Sequence, residues 1–309
     1  MRERGADRTD GAMKQLRDLV AEELSQPVDR RVTGVAQTIA SKHGSASRAV
    51  LFYGSCLRQK QLDGLMLDFY LIVADYGSAY AKRWLAVANG LIPPNVFYFE
   101  HDGLVAKYAV LSEADFAREC SAGARTSSAF ARFAQPSRLV WAADETARTT
   151  ATDAVSRAAP SLLELTRPSM TDEEAADVLA IWKKAFRFTF SAELRAERSS
   201  RPELIVDADP ERYRRFAEAA GFPQERGYTA AQRRTSEGAW RQFQRRGKRA
   251  SVARLAKASM TFAGGADYIV WKINRHAGTE IALKPWQRRH PLLAGISLLP
   301  RLLRSGAIR

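Results

Sequence analysis

The chain has 309 residues, 46% of them hydrophobic and 27% charged, a composition that builds packed cores and excludes wholesale disorder. Its formal net charge of +14 calls for an anionic partner, and nucleic acid, nucleotide and acidic lipid all qualify. Two cysteines, Cys56 and Cys120, with no paired Cys/His spacing argue against a zinc cluster or a disulfide framework and fit a reducing cytosol.

The opening stretch MRERGADRTDGAMK carries both charge signs and lacks the apolar core of a secretory signal. Met13, Leu16, Leu19, Val20 and Leu24 recur at helical spacing, so residues 12–41 read as helix interrupted at Pro27. Strand-like runs follow at 49–53 (AVLFY), 65–74 (LMLDFYLIVA), 95–100 (NVFYFE), 105–111 (VAKYAVL) and 138–142 (RLVWA). Helices are expected between some of them, over 78–90 and 113–133. Residues 1–142 therefore read as a mixed α/β domain.

Beyond Ala142 the pattern turns helical. In TDEEAADVLAIWKKAFRF, Thr171 is the expected N-cap and Glu174 its capping-box partner. A polar, Arg-rich break at 195–203 precedes a helix near 210–220, which makes 143–225 a helical domain. From 226 the chain is strongly basic, and no acidic residue follows Glu280, so 226–309 reads as a third, basic region. No apolar run reaches the ~20 residues of a spanning helix, and neither repeats nor low-complexity tracts occur.

The stretch VLFYGSCLRQKQLDGLMLDFYLIVADY, residues 50–76, carries the chemistry. A strand ending in Gly54-Ser55 and running into a helix offers free N–H groups and a positive helix end to a phosphate. Gly54 leaves room for close approach, and Ser55 adds a hydroxyl. Asp68 lies among Met66, Leu67, Phe69, Leu71 and Ile72, where an unpaired carboxylate is costly to bury. A metal ion joining it to a triphosphate removes that cost. The plain alternative is a turn followed by a strand whose Asp faces water.

Gly-Ser, a twelve-residue spacer and an acid inside a strand resemble the nucleotidyltransferase superfamily signature. The second acid of that signature falls two positions on, where this chain has Tyr70. One branch lacks it there: the mitochondrial-type phosphatidate cytidylyltransferases, the translocator assembly and maintenance family. YGSCLRQ (53–59) is similar to that family's Tyr-Gly-Ser-Gly turn, with Cys56 for the second glycine. LDFYLIVAD (67–75) is similar to its single-acid strand, and Asp75 matches the closing acid. VFYFEHDGLVAKYAVLS (96–112) resembles its Val-Tyr-Phe-Asn and Lys-Tyr-Gly-Val strands. ARFAQPSRL (131–139) resembles its Gly-Arg-Leu-x-Lys-Pro element, with Gln135 for the lysine. FSAELRAE (190–197) is a looser match to its Ser-Tyr-x-Gly-Asp-x-Arg segment.

The resemblance implies a nucleotidyltransferase-like mixed sheet, a winged-helix-like middle domain and transfer of CMP from CTP to phosphatidic acid, giving CDP-diacylglycerol and pyrophosphate. Tyr53, Gly54, Ser55, Tyr108, Arg132, Glu193 and Arg195 are then the expected nucleotide contacts. Asp68 is expected to bind Mg²⁺, with Asp68, Lys107 and Ser55 at the reacting centre and Lys107 neutralising the leaving pyrophosphate. Asp63 and Asp75 read as solvated, and Glu193 with Arg195 as an ordinary surface pair if the loose match is set aside.

The missing acid agrees with such an acceptor. A sugar hydroxyl needs a base, whereas a phosphate monoester, with a second pKa near ~6, arrives deprotonated. The C-terminal Lys284, Arg288, Arg289, Arg301, Arg304 and Arg309, interleaved with Trp286 and leucines, suit an anionic membrane surface. This places the protein in the cytoplasm, peripheral on the inner face of a bacterial plasma membrane. Another lipid phosphate or small-molecule acceptor is an open alternative, as is a non-catalytic basic membrane- or nucleic-acid-binding scaffold. No recognised nucleic-acid motif is present, so nucleic acid is not the expected partner.

Overall fold

A computed structural model describes residues 3–59, 62–193, 201–222, 227–261 and 282–289. Its centre is a five-stranded mixed sheet: β1 (Ser47–Tyr53), β2 (Met66–Val73), β3 (Asn95–His101), β4 (Leu104–Ser112) and β5 (Ser137–Ala142). The spatial order is β3-β4-β2-β1-β5, with β2 parallel to β4 and every other pair antiparallel. The fold class is α/β, as the alternation of runs implied. β1 and β2 are nearly all apolar because both of their faces are covered.

Pro27 separates two helices, α1 (Glu3–Ser25) and α2 (Arg30–Lys42), and Asp29 caps the second by accepting from Arg31 N at 2.8 Å. Val32, Val35, Ala36, Ile39 and Ala40 form the buried stripe of α2. They share one cluster with Val50, Phe52, Leu67, Phe69, Leu71 and Val110 on one face of the sheet. Leu51, Tyr70, Ile72, Ala109 and Leu111 point to the other face, into a larger cluster.

The expected 78–90 and 113–133 helices are each broken. The first becomes α3 (Tyr76–Ala79) and α4 (Arg83–Leu91), because Asp75 caps a single turn through Ser78 N at 2.9 Å. The second becomes α5 (Glu113–Glu119) and α6 (Ser128–Phe133). There the buried Glu119 carboxylate accepts from Arg125 N and Thr126 N, both at 3.2 Å, and folds the intervening loop back.

Downstream helices are α7 (Glu145–Ser156), α8 (Ala158–Thr166), α9 (Val178–Ser191), α10 (Arg201–Asp207), α11 (Pro210–Ala219) and α12 (Ala230–Thr261). Thr171 and Glu174 make the reciprocal capping-box bonds, 2.9 and 3.1 Å, but these close a turn. The helix itself starts seven residues later, capped by Asp177 through Leu179 N. Trp182, Phe186 and Tyr213 form the aromatic centre of this layer. Arg212 donates to Glu23 of α1 and to Ala134 O at 3.1 Å, tying the late helices to the first one.

The basic helix α12 is not free in solvent along its length. Trp240 is buried against Phe188 and Phe243, and Ser236 donates to Leu165 O at 2.6 Å. One hydrophobic cluster thus includes Leu16, Tyr70, Trp182 and Trp240. Among the described residues no helix is long and apolar enough to cross a membrane.

Candidate active site

Ser137, Tyr53, Asp68, Lys107 and Tyr98 stand in register across all five strands, and in-register neighbours share a face. The centre of this row is polar where the next one is apolar. Two residues along β2 the same face carries Tyr70, 3% exposed, packed against Tyr53, Phe116 and Phe133. The position of a second acid is therefore filled by an aromatic ring in the core.

Gly54 follows β1 with φ of +100°, a conformation that side chains disfavour. A Cβ there would lie 3.0 Å from Asp68 Oδ2, so the absence of a side chain lets the turn settle on the carboxylate. Ser55 then opens a short helix, Ser55–Gln59. Cys56 does not enter this space: it is buried on the α2 side, with its thiol directed at Met66 O, 3.4 Å away. Burial, then the nearby Asp68 charge, push that thiol above its ordinary pKa.

Lys107 Nζ lies 3.1 Å from Asp68 Oδ1, with the two side chains 36% and 20% exposed. Oδ1 itself is buried, and the lysine approaches it off line, so the contact is an ion pair without a hydrogen bond. An acceptor lone pair left over on a buried carboxylate suits one ligand of a hard cation. Among the described residues no group of three His, Cys, Asp or Glu side chains could hold a metal. Asp68 therefore fits Mg²⁺ only as a partial site whose remaining ligands come from phosphate and water, the usual manner of Mg²⁺–nucleotide binding.

On the other side of Tyr53 lies a second ionic group. Arg132 donates to Glu193 Oε1 at 2.9 Å, to Oε2 at 3.3 Å and to Ser128 O at 2.6 Å. Burial opposes the Arg132 charge, but Glu193 and the neighbouring phenols outweigh it and raise its pKa well above the ordinary value. Ser128 donates to Glu193 at 2.6 Å and accepts from Arg254 at 3.0 Å. Arg254 also donates to Thr126 Oγ1 and to Pro93 O, and Lys257 donates to Ile92 O and Pro94 O. Tyr53 feels both groups: burial first, then Asp68, raise its pKa well above 10, while Arg132 works the other way.

The structure thus brings Tyr53, Gly54, Asp68 and Lys107 together, with Ser55 next in the chain, and pairs Arg132 with Glu193 near Tyr53. Tyr108 is not among them. It points to the opposite face, where it is buried and lies 3.3 Å from His43 Nε2. Asp75 is taken up by its cap, and the exposed Asp63 pairs with Arg31 at 2.9 Å. Gln135 folds back on α6, donating to Ala131 O at 2.7 Å. Arg195, Arg301 and Arg304 lie outside the described residues, as do the side chains of Arg288 and Arg289 in the short helix Pro285–Arg289.

No family model matches this chain, and no curated protein does. Among solved structures, a nucleotidyltransferase-like protein from Exiguobacterium sibiricum 255-15 is 10% identical, with 89% of this chain and 92% of that chain covered and a TM-score of 0.28. At that identity and score the likeness carries neither family nor activity over to this chain.

Sequence reasoning missed Thr126, Ser128, Arg254 and Lys257. Thr126 in a loop and Ser128 at the first position of a short helix have no pattern of their own. Arg254 and Lys257 belong to a run so rich in Lys and Arg that spacing could not single out the pair that docks.

Proposed function

We propose that this protein is a Mg²⁺-dependent nucleotidyltransferase that passes CMP from CTP to phosphatidic acid at a membrane surface, releasing pyrophosphate. The observation that carries the reading is the contact of Gly54 with Asp68, with Lys107 on the far side of the carboxylate. A glycine turn, a buried carboxylate oxygen and a lysine ammonium group thus share one small space, which supports the reading.

In this reading, Gly54 and Ser55 bind the triphosphate through backbone N–H groups and the hydroxyl. Asp68 would hold Mg²⁺, which supplies charge neutralisation on the phosphate oxygens when bound. A phosphate oxygen of the acceptor attacks the α-phosphorus, the bond to the β-phosphate breaks, and pyrophosphate departs. The attacking oxygen is already anionic, so no base is required and Tyr70 in the place of an acid is no obstacle. Lys107 swings from Asp68 to the leaving pyrophosphate. The Arg132–Glu193 pair fixes the wall beside Tyr53.

The test incubates purified protein with CTP, Mg²⁺ and phosphatidic acid vesicles and measures CDP-diacylglycerol and pyrophosphate. Both should form in equal amounts, and Asp68→Ala should abolish them while vesicle binding persists. Absence of both products with the wild-type chain would overturn the reading. Product from another lipid phosphate or from a hydroxyl compound alone would reassign the acceptor and keep the enzyme class.

One observation favours a second reading, a non-catalytic basic scaffold. Lys107 and Arg132 are each neutralised by an acid of the chain itself, as in a site that has stopped taking anions. Calorimetry with CTP and Mg²⁺ separates the two, since a scaffold shows no heat of nucleotide binding.

A further inference from the structure

We propose that α4 is a docking surface for an anionic lipid membrane. Trp84, Val87 and Leu91 are 45%, 60% and 74% exposed, and their spacing of three and four residues puts them on one face of the helix. Among the described residues the other large apolar groups in the open (Met13, Leu204, Val252 and Trp286) occur one to an element. A soluble surface seldom gathers three such groups on a single helix without a partner.

The fold holds this face outward. Asn89, on the opposite side of α4, is buried and donates to Tyr80 OH at 3.2 Å and to Val110 O at 3.0 Å, and it accepts from Asn95 N. Leu85 and Ala86 pack onto the cluster beneath. Rotating the helix to hide Trp84 and Leu91 would pull Asn89 from three buried hydrogen bonds.

Charge selects the occupant. Lys82 and Arg83 are exposed at the start of α4, next to Trp84, and residues 76–99 contain no acidic side chain. Cations beside an indole and an aliphatic pair match the headgroup and acyl layers of an anionic bilayer, and the net charge of +14 favours the encounter. A second copy of this basic chain would lack that charge match. The inference extends the proposed reading by giving the lipid acceptor a landing face. Vesicle binding is measured apart from turnover, so the failure of one does not imply the failure of the other.

The experiment uses the full chain with vesicles of phosphatidylcholine alone or with phosphatidylglycerol, and follows binding by co-sedimentation and hydrogen exchange. Wild type should bind the anionic vesicles, and exchange across residues 83–91 should slow further when those vesicles are added and not with phosphatidylcholine alone. Val87→Asp/Leu91→Asp should weaken binding at least tenfold with an unchanged melting temperature. Trp84→Phe should remove most of the quenching of tryptophan emission by brominated lipid. Unaltered binding by the double variant would overturn the proposal. So would exchange in α4 that stays the same when anionic vesicles are added. A double variant that changes only the oligomeric state in light scattering would do the same.

Discussion

Gly54 and Asp68 touch across the β1–β2 pair: the space where a Cβ would stand on Gly54 is 3.0 Å from Asp68 Oδ2. The contact depends on backbone as well as on size, because φ at Gly54 is +100°. Gly54→Ala should therefore cost about 1–3 kcal/mol in urea unfolding and push the Asp68 carboxylate off its position. Nucleotide affinity should fall with it. Equal stability and equal CTP affinity in the variant would remove the close approach from the site.

Glu193 supports a charge that the core tolerates badly alone. Arg132 is about a quarter exposed and Glu193 a tenth, and their two forked bonds cross from α6 to the end of α9. Glu193→Ala leaves the guanidinium without its counter-ion and should cost about 3 kcal/mol, the low end for breaking a buried pair because of that residual exposure. Arg132→Met combined with Glu193→Leu should recover most of the loss. A double variant as unstable as Glu193→Ala would show that the cost lies in packing instead.

How much of this was legible in the chain depends on range. The five strands, the break at Pro27 and the polar centre of β2 all follow from local alternation and local breakers. The Gly54–Asp68 contact was also readable, because a hairpin-like pair of strands brings near neighbours together. Tyr108 shows the limit: it sits next to Lys107 in sequence and on the opposite face of the sheet, the period-two rule that a linear motif does not display. Thr171–Glu174 shows another, since the bonds formed as expected while the helix began elsewhere. The Arg254 and Lys257 contacts span more than 160 residues of separation to Pro93 and Ile92, and nothing local encodes them.

Gly247 offers a test of how α12 is seated. A Cβ there would collide with the carbonyl group of Ala192, next to Glu193. An exposed helical Gly→Ala change ordinarily gains about 1 kcal/mol. Here the obstructing atoms are backbone, which cannot turn aside, so Gly247→Ala should instead lose about 1–3 kcal/mol. Thermal melts give the sign directly. A stabilised variant would mean that α12 does not press on the end of α9.

Lys257 should make stability rise in alkali. The residue is 6% exposed, and burial followed by the nearby Arg254 charge lowers its pKa from 10.5 to about 8. Below pH 8 the lysine is charged in both folded and unfolded chains, and the full penalty for holding that charge is present. Between pH 8 and 10.5 the unfolded chain binds the extra proton, so unfolding becomes less favourable as pH increases. The gain over that window should approach about 3 kcal/mol at most. Other groups titrate there too, and Lys257→Met isolates the one in question by lacking it. The stability of wild type relative to Lys257→Met, from urea titrations at pH 7 through 10.5, should climb across the window and level off at its upper end. A constant difference would show that Lys257 keeps an ordinary pKa against the carbonyls of Ile92 and Pro94.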